Sequence, residues 1–278
     1  MNSLHVRFAN GAIGHLMSHR GDAVWGLGGW WSCEVAGSRG TFCIENCLER
    51  LTYWPAPRPG EKFGLGDSPT PEVLETGLRD FGATFLEPAR LRPAFAAARA
   101  LGIPVVNVGP GGKAGVEDDF HRQTELLARM ADEAAAAGVT LCVKAHVGAS
   151  IFNTETTLRA MDRIASSGFG IDMDPSHIFR AGENPEESLP RVLSRVRHIH
   201  IRDCKGRGPS PGAPRDQACG RGDIALFAYF RAMVEGGYDG PVCLEVIGAG
   251  SCDLTTRAII AAESYGYMNA CLKMLGAR

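Results

Sequence analysis

The sequence predicts a single (β/α)8 barrel over residues 1–278, and three observations carry that expectation. The length of 278 residues suits one such barrel, for which about 250 is typical. After position 90, short apolar runs alternate with helical stretches of roughly ten residues or more, the order that yields parallel strands joined by crossover helices. Glycine, at 35 residues, falls where one segment must stop and the next begin.

Residues 92–101 are Ala-rich and helical, with Gly102 as a stop before Pro104. Residues 105–108 form a buried strand running into Gly109-Pro110-Gly111-Gly112. Leu126, Leu127, Met130 and Ala134 give residues 117–137 a helical recurrence; Gly138 ends it and residues 139–146 are the next strand. Helix 156–165, strand 169–174, helix 185–196, strand 198–203, helix 224–235, strand 241–247 and a terminal helix over 255–275 continue the alternation. Three more strands in the first hundred residues would close the barrel. Residues 4–9 and 41–45 are the better segments and 83–86 the weakest, while 72–80 read as helix and the Pro- and Gly-rich residues 55–70 as loop. An open α/β sheet is the competing architecture.

A net charge of −2 gives no electrostatic reason to bind nucleic acid or an anionic membrane. No apolar run approaches the roughly 20 residues that cross a bilayer, and residues 1–10 carry no signal pattern. Nine scattered cysteines without a CxxC pair suit reduced thiols, so a cytoplasmic protein is expected. Trp25, Trp30, Trp31, Tyr53 and Trp54 are expected in core or subunit contacts, with a barrel-mouth sugar platform as the alternative.

Alternate side chains of a strand share a face. Cys142, Lys144 and His146 therefore share one, as do Asp172 with Asp174, His198 with His200 and Arg202, and Cys243 with Glu245. The opposite faces are apolar and suit packing against helices. The polar set should line the barrel axis near the C-terminal strand ends, where barrel enzymes keep their active sites. Convergent His, Asp and Glu there suit a divalent metal; a hydrogen-bonded network without metal is the alternative.

Asp174-Pro-Ser-His177, His198-Ile-His200-Ile-Arg-Asp203, Gly220-Arg-Gly-Asp223 and Leu244-Glu245 follow one another across about residues 102–250. In that order they resemble the signatures of the xylose-isomerase-like barrels, which include sugar and sugar phosphate isomerases and epimerases and also endonuclease IV. The resemblance implies that Asp174, His200 and Glu245 ligate one divalent metal, Mn²⁺ first, with Zn²⁺, Co²⁺, Mg²⁺ or Fe²⁺ as alternatives. It implies that His177 meets substrate oxygens. Arg202 is placed to reach a substrate anion and Arg180 is taken with it as substrate-binding. Asp203 is expected to orient the following loop and Asp223 to cap the next helix.

The family usually has glutamate where this chain has Lys144, and an ammonium cannot ligate a metal. His146 is accordingly the expected fourth ligand, with Lys144 pairing to Asp172 one layer below. In the competing reading Lys144 is a catalytic base.

The implied chemistry is proton abstraction beside a carbonyl by Glu245, giving an enediolate that a metal would stabilise. The expected activity is a metal-dependent isomerase or epimerase of carbohydrate metabolism. A lyase or dehydratase acting on a keto-sugar or keto-glycoside comes second, because Lys144 leaves only Glu245 of the carboxylate pair that two-base epimerisation uses. An endonuclease IV-like nuclease would need more histidines, and His5, His15, His19 and His121 lack strand-end positions. A non-catalytic relative would not be expected to keep Asp174, His200 and Glu245 together. The expected partner is a small sugar-like molecule, with neither nucleic acid nor membrane, and a homo-oligomer is left open. Residues 204–219 read as a loop over the site, where Arg207, Arg215 or Gln217 would touch substrate.

Overall fold

Strands joined by only a few residues can pair only as hairpins, whereas parallel neighbours need a crossover of a dozen or more. Both arrangements occur here, in separate parts of the chain. A computed structural model describes residues 86–278 throughout and, before them, the backbone of six strands. The chain divides into two compact units, Met1–Ala83 and Thr84–Arg278.

In the first unit, β1 (Asn2–Arg7) and β2 (Ile13–Ser18) form an antiparallel pair with His5 opposite His15. β3 (Cys33–Gly37), β4 (Gly40–Glu45), β5 (Arg50–Pro55) and β6 (Glu72–Glu75) form an antiparallel sheet in sequence order. The strands expected near 4–9 and 41–45 are thus present, but pair with their sequence neighbours and add nothing to a parallel sheet. Their short connections are the reason. Residues 72–75, expected as helix, are a strand instead, hydrogen-bonded antiparallel to β5 with Leu74 opposite Leu51 and Glu75 opposite Arg50 in the register. The expected strand at 83–86 and the tryptophans at 25, 30 and 31 lie outside the described residues, Leu86 excepted.

The second unit follows the predicted alternation. Its elements are α1 (Pro88–Leu101), β7 (Val105–Val108), α2 (Glu117–Ala136), β8 (Thr140–Lys144), α3 (Thr154–Arg163), β9 (Phe169–Met173), α4 (Pro175–Arg180), α5 (Pro185–Val192), β10 (Val196–Ile201), α6 (Leu226–Glu235), β11 (Val242–Leu244) and α7 (Leu254–Met274). The five strands make one sheet in the order β11-β10-β9-β8-β7, every pair parallel. Leu127, Ala131 and Ala134 of α2 are fully buried, as are Leu141 and Val143 of β8, and with Ile171 of β9 and Ile199 and Ile201 of β10 they belong to one hydrophobic core. Each of the Leu, Val and Ile side chains contributes about 1.5–3 kcal/mol by leaving water. That packing commits the apolar face of the sheet to the helices and turns the polar face inward.

Local signals set the strand ends. Gly102 adopts φ +69° and closes α1, and the Ile103 N–H donates to the Ala98 carbonyl at 2.8 Å. Asp174 is the N-cap of α4 and accepts from the Ser176 N–H at 2.9 Å, which fixes its carboxylate at the mouth of β9.

After β10, Asp203 performs the loop-orienting role expected of it. Its carboxylate accepts from the N–H groups of Cys204, Gly220 and Ile224 at 2.9, 3.0 and 3.1 Å. Gly222 has to pass beside it: a Cβ there would lie 2.2 Å from Asp203 Oδ1 and 2.4 Å from the Cys204 carbonyl oxygen. We therefore expect Gly222→Ala to lower stability by about 1–3 kcal/mol, read by urea denaturation; an unchanged midpoint would show that the loop yields freely. Asp223 is not the helix cap that was expected. Ala225 occupies that position, and Asp223 instead accepts from Lys205 Nζ at 2.6 Å and the Gly206 N–H at 2.8 Å.

Candidate active site

The inward face of the sheet carries its polar side chains in two layers. In the deeper one, Asp172 of β9 is fully buried and receives both imidazoles of β10. His198 Nδ1 lies 2.9 Å from Oδ1, His200 Nδ1 lies 2.6 Å from Oδ2, and the His200 N–H donates to Oδ1 at 3.2 Å. Burial alone would raise the Asp172 pKa, but the bonds from His198 and His200 outweigh it and hold the carboxyl below its ordinary value. Cys243 of β11 is the cross-strand partner of His200.

The upper layer is an ionic network. The Arg202 guanidinium, 1% exposed, donates from Nε to Ser176 Oγ at 2.6 Å, from Nη1 to Glu245 Oε2 at 2.7 Å and from Nη2 to Asp174 Oδ2 at 2.8 Å. Lys144 Nζ donates to Glu245 Oε2 at 2.9 Å and stands 3.8 Å from Asp174 Oδ2. Asp174 Oδ1 accepts from the N–H and hydroxyl of Ser176 at 2.9 and 2.7 Å. Burial works against ionisation of Asp174; the Arg202 charge, followed by His177, Lys144 and the Ser176 hydrogen bond, overcomes it and keeps the pKa well below the usual carboxylate range. Glu245 is less enclosed, at 31% side-chain exposure, and among the described residues no hydrogen bond reaches its Oε1.

His177 is buried beside this network. The Val147 N–H donates to its Nδ1 at 3.2 Å, Arg202 Nη2 lies 3.0 Å from Nε2, and the His146 ring rests on it at 4.2 Å between centroids. Burial drives its pKa down to about 3, with the nearby charges of His146, Arg202 and Lys144 acting the same way against Asp174. An unfolded imidazole titrates near 6.5. Between those values only the unfolded chain takes the proton, so stability falls as pH falls from about 6.5 toward 3. This one group gives a slope of up to about 1.4 kcal/mol per pH unit. Urea denaturation at pH 7 and pH 5 should show the loss, and His177→Asn should shrink it by about one proton; a pH-independent midpoint would mean that His177 titrates normally.

The structure brings together Asp174, Glu245, Lys144, Arg202 and His177, and treats several other predicted residues differently. Lys144 does not pair with Asp172, its Cα partner across the ladder, because both oxygens of Asp172 are held by histidines. Its flexible stem carries the ammonium up to Glu245 instead. Arg202 is no free substrate ligand: every nitrogen of its guanidinium faces a protein partner, as a buried charge requires. Arg180 donates to the carbonyls of Gly208 and Pro209 in the loop after β10. In that same loop Arg207 bonds the Phe179 and Glu183 carbonyls at 2.7 and 2.8 Å, Arg215 bonds Thr256, and Gln217 is buried against Ile247. These side chains hold the loop down. His146 lies beyond the end of β8, with Nδ1 3.0 Å from the Val147 carbonyl oxygen. Ser176, which binds both Asp174 and Arg202, was not singled out from the sequence, although it stands between two residues that were.

Sequence and structural comparisons agree on the fold that carries this arrangement. A family model described as xylose isomerase-like TIM barrel matches residues 87–271. The chain belongs to that family. An inosose dehydratase from Clostridium botulinum is 23% identical over 143 residues, covering 46% of this chain and 47% of that protein. The chain thus spans about half the length of the curated relatives it matches. Among solved structures, a D-tagatose 3-epimerase-like protein superposes with a TM-score of 0.56 at 21% identity, over 66% of this chain and 68% of the other. A structure of IOLI protein with a bound zinc atom gives the same score and coverage at 20% identity. These likenesses establish the fold.

The metal that the xylose isomerase-like family implies can be tested against the upper layer, and the residues there do not fit it. Asp174 and Glu245 already face two cations, Arg202 and Lys144. Two carboxylates and two cations are neutral together; a divalent ion among them would add two uncompensated charges in a largely buried place, at high cost. Nor do His146, Asp174, His200 and Glu245 assemble as ligands. Among the described residues the donor cluster that does form is His198, His200 and Cys243, one atom from each lying within 4.8 Å of the others. No helix among the described residues is long and apolar enough to cross a membrane.

Proposed function

We propose that the chain is a dehydratase-type lyase acting on a polyhydroxy ketone of the keto-sugar or keto-cyclitol class. The observation that carries this reading is the 2.9 Å contact between Lys144 Nζ and Glu245 Oε2. A base and a proton donor stand side by side on one face of the site, where an epimerase would need bases on two faces. Glu245 Oε1 removes the proton beside the carbonyl, and the electron pair enters the carbonyl as an enolate. Lys144, with three donors of which one is used on Glu245, keeps two for the hydroxyl that leaves. The β carbon–oxygen bond then breaks, the departing hydroxyl takes a proton from Lys144 and leaves as water, and the proton on Glu245 passes back to Lys144. Arg202 and Asp174 position Glu245 and do not themselves meet the substrate.

The description of the curated relatives as inosose dehydratases supports the lyase reading. A second reading, sugar isomerisation or epimerisation from the same enolate, is favoured by epimerase structures among the structural neighbours. Incubating the protein with an inosose and with ketohexoses in D₂O separates the two. Loss of water with formation of an unsaturated ketone is expected; deuterium incorporation and a changed sugar without water loss would favour the isomerase. Neither exchange nor elimination with any ketone would reject both.

A further inference from the structure

We infer that His198, His200 and Cys243, oriented by Asp172, form a binding site for one borderline divalent transition metal such as Zn²⁺ or Co²⁺. The site differs in two of its three protein ligands from the set that the family resemblance implies, and it does not depend on the reaction proposed above.

Backbone register builds it. His198 and His200 are two apart on β10 and so share the inward face, and Cys243 is the direct cross-strand neighbour of His200 on β11. One nitrogen of each ring and the Cys243 sulfur already lie within 4.8 Å of one another. Tetrahedral coordination at about 2.0–2.3 Å puts such donors roughly 3.3–3.7 Å apart, so the side chains have to draw together from that 4.8 Å bound to complete the set. Imidazole and thiolate together select Zn²⁺-like ions over Mg²⁺ or Ca²⁺, which take oxygen donors.

The second observation is the arrangement of Asp172. Its two oxygens engage Nδ1 of both histidines, at 2.9 and 2.6 Å. A carboxylate accepts, so each ring carries its proton on Nδ1 and presents a bare Nε2 lone pair. Among the described residues no hydrogen bond reaches either Nε2. A carboxylate behind a histidine that fixes this tautomer is the usual support of a metal-ligating imidazole. Here one buried carboxylate supports two. The Cys243 thiol is also little committed: among the described residues its one hydrogen-bond contact is 3.9 Å, to the Leu244 carbonyl oxygen. Three protein donors leave a fourth position for water or a substrate oxygen.

The test is a Co²⁺ titration of untagged, chelator-stripped full-length protein, followed by absorption. One equivalent of Co²⁺ should produce a near-ultraviolet thiolate-to-cobalt charge-transfer band. Cys243→Ser should abolish that band and weaken Co²⁺ binding at least tenfold, and Asp172→Asn should weaken it about 10–100-fold. Asp174→Asn should leave the band in place. Alkylation mapped by mass spectrometry on the unmutated protein supplies a measurement free of folding defects: Zn²⁺ should protect Cys243 from iodoacetamide. Absence of metal uptake, a band that survives Cys243→Ser or vanishes with Asp174→Asn, or Cys243 alkylated equally with and without Zn²⁺ would overturn the site. Because none of these readouts is turnover, their failure leaves the lyase reading standing, and failure of the lyase reading leaves them intact.

Discussion

Glu245→Gln should lower turnover of the keto substrate by about 10²–10⁴-fold, the range associated with a positioned general base. The amide keeps the side-chain shape and one oxygen for Arg202 Nη1 or Lys144 Nζ, both now within 2.9 Å of Oε2, but it cannot accept a proton at Oε1. Substrate binding should change far less than kcat. Lys144→Met complements this. In an elimination it removes the donor to the leaving hydroxyl without removing the base, so deuterium exchange beside the carbonyl should persist while release of water slows. The pair of variants assigns the two steps to two atoms. A loss below tenfold in Glu245→Gln would place the base elsewhere, and Lys144→Met losing exchange and elimination equally would mean that Lys144 serves the enolate rather than the leaving group.

Much of this site was legible before any coordinates. Period-two alternation placed Lys144, Asp172, Asp174, His198, His200, Arg202, Cys243 and Glu245 on one face, and all of them prove to be in or beside the two polar layers. The five parallel strands and the helices between them followed from apolar runs interrupted by glycine. Alternation, however, says which face a side chain takes and not which neighbour it finds. Partner choice depends on the stagger between strands and on competition for acceptors. Asp172 was expected to hold Lys144, its Cα neighbour, but two imidazoles on β10 claim both its oxygens. Arg202 was read as an arm toward substrate, yet the rank that puts it beside Asp174 also encloses it.

In the first unit the strands pair differently from the expectation, for a related reason. The sequence predicts the strands near 4–9 and 41–45, but the alternation seen later in the chain does not extend to their pairing, which is antiparallel. The connection of two residues between β3 and β4, Ser38 and Arg39, already favours a hairpin.

Replacing Arg202 with Met is expected to destabilise the folded protein by about 3–5 kcal/mol, the cost of leaving a buried ionic group without its partner. The group left behind is Asp174, fully enclosed, whose Oδ2 would keep Lys144 Nζ at 3.8 Å and His177 Nε2 at 3.7 Å, both too distant for a hydrogen bond. Removing the orphaned charge should return part of the loss, so Arg202→Met combined with Asp174→Asn should be more stable than Arg202→Met alone. The difference between the double variant and the sum of the singles measures their coupling. Arg202→Lys is a sharper control. It restores the charge but offers no fork to span Ser176, Asp174 and Glu245, and should recover less than half of the loss. Urea denaturation of these four variants beside the unmutated protein decides the matter. A cost below about 1 kcal/mol for Arg202→Met would place the pair in the range of exposed ion pairs, and Glu245 would then owe its position to Lys144 alone.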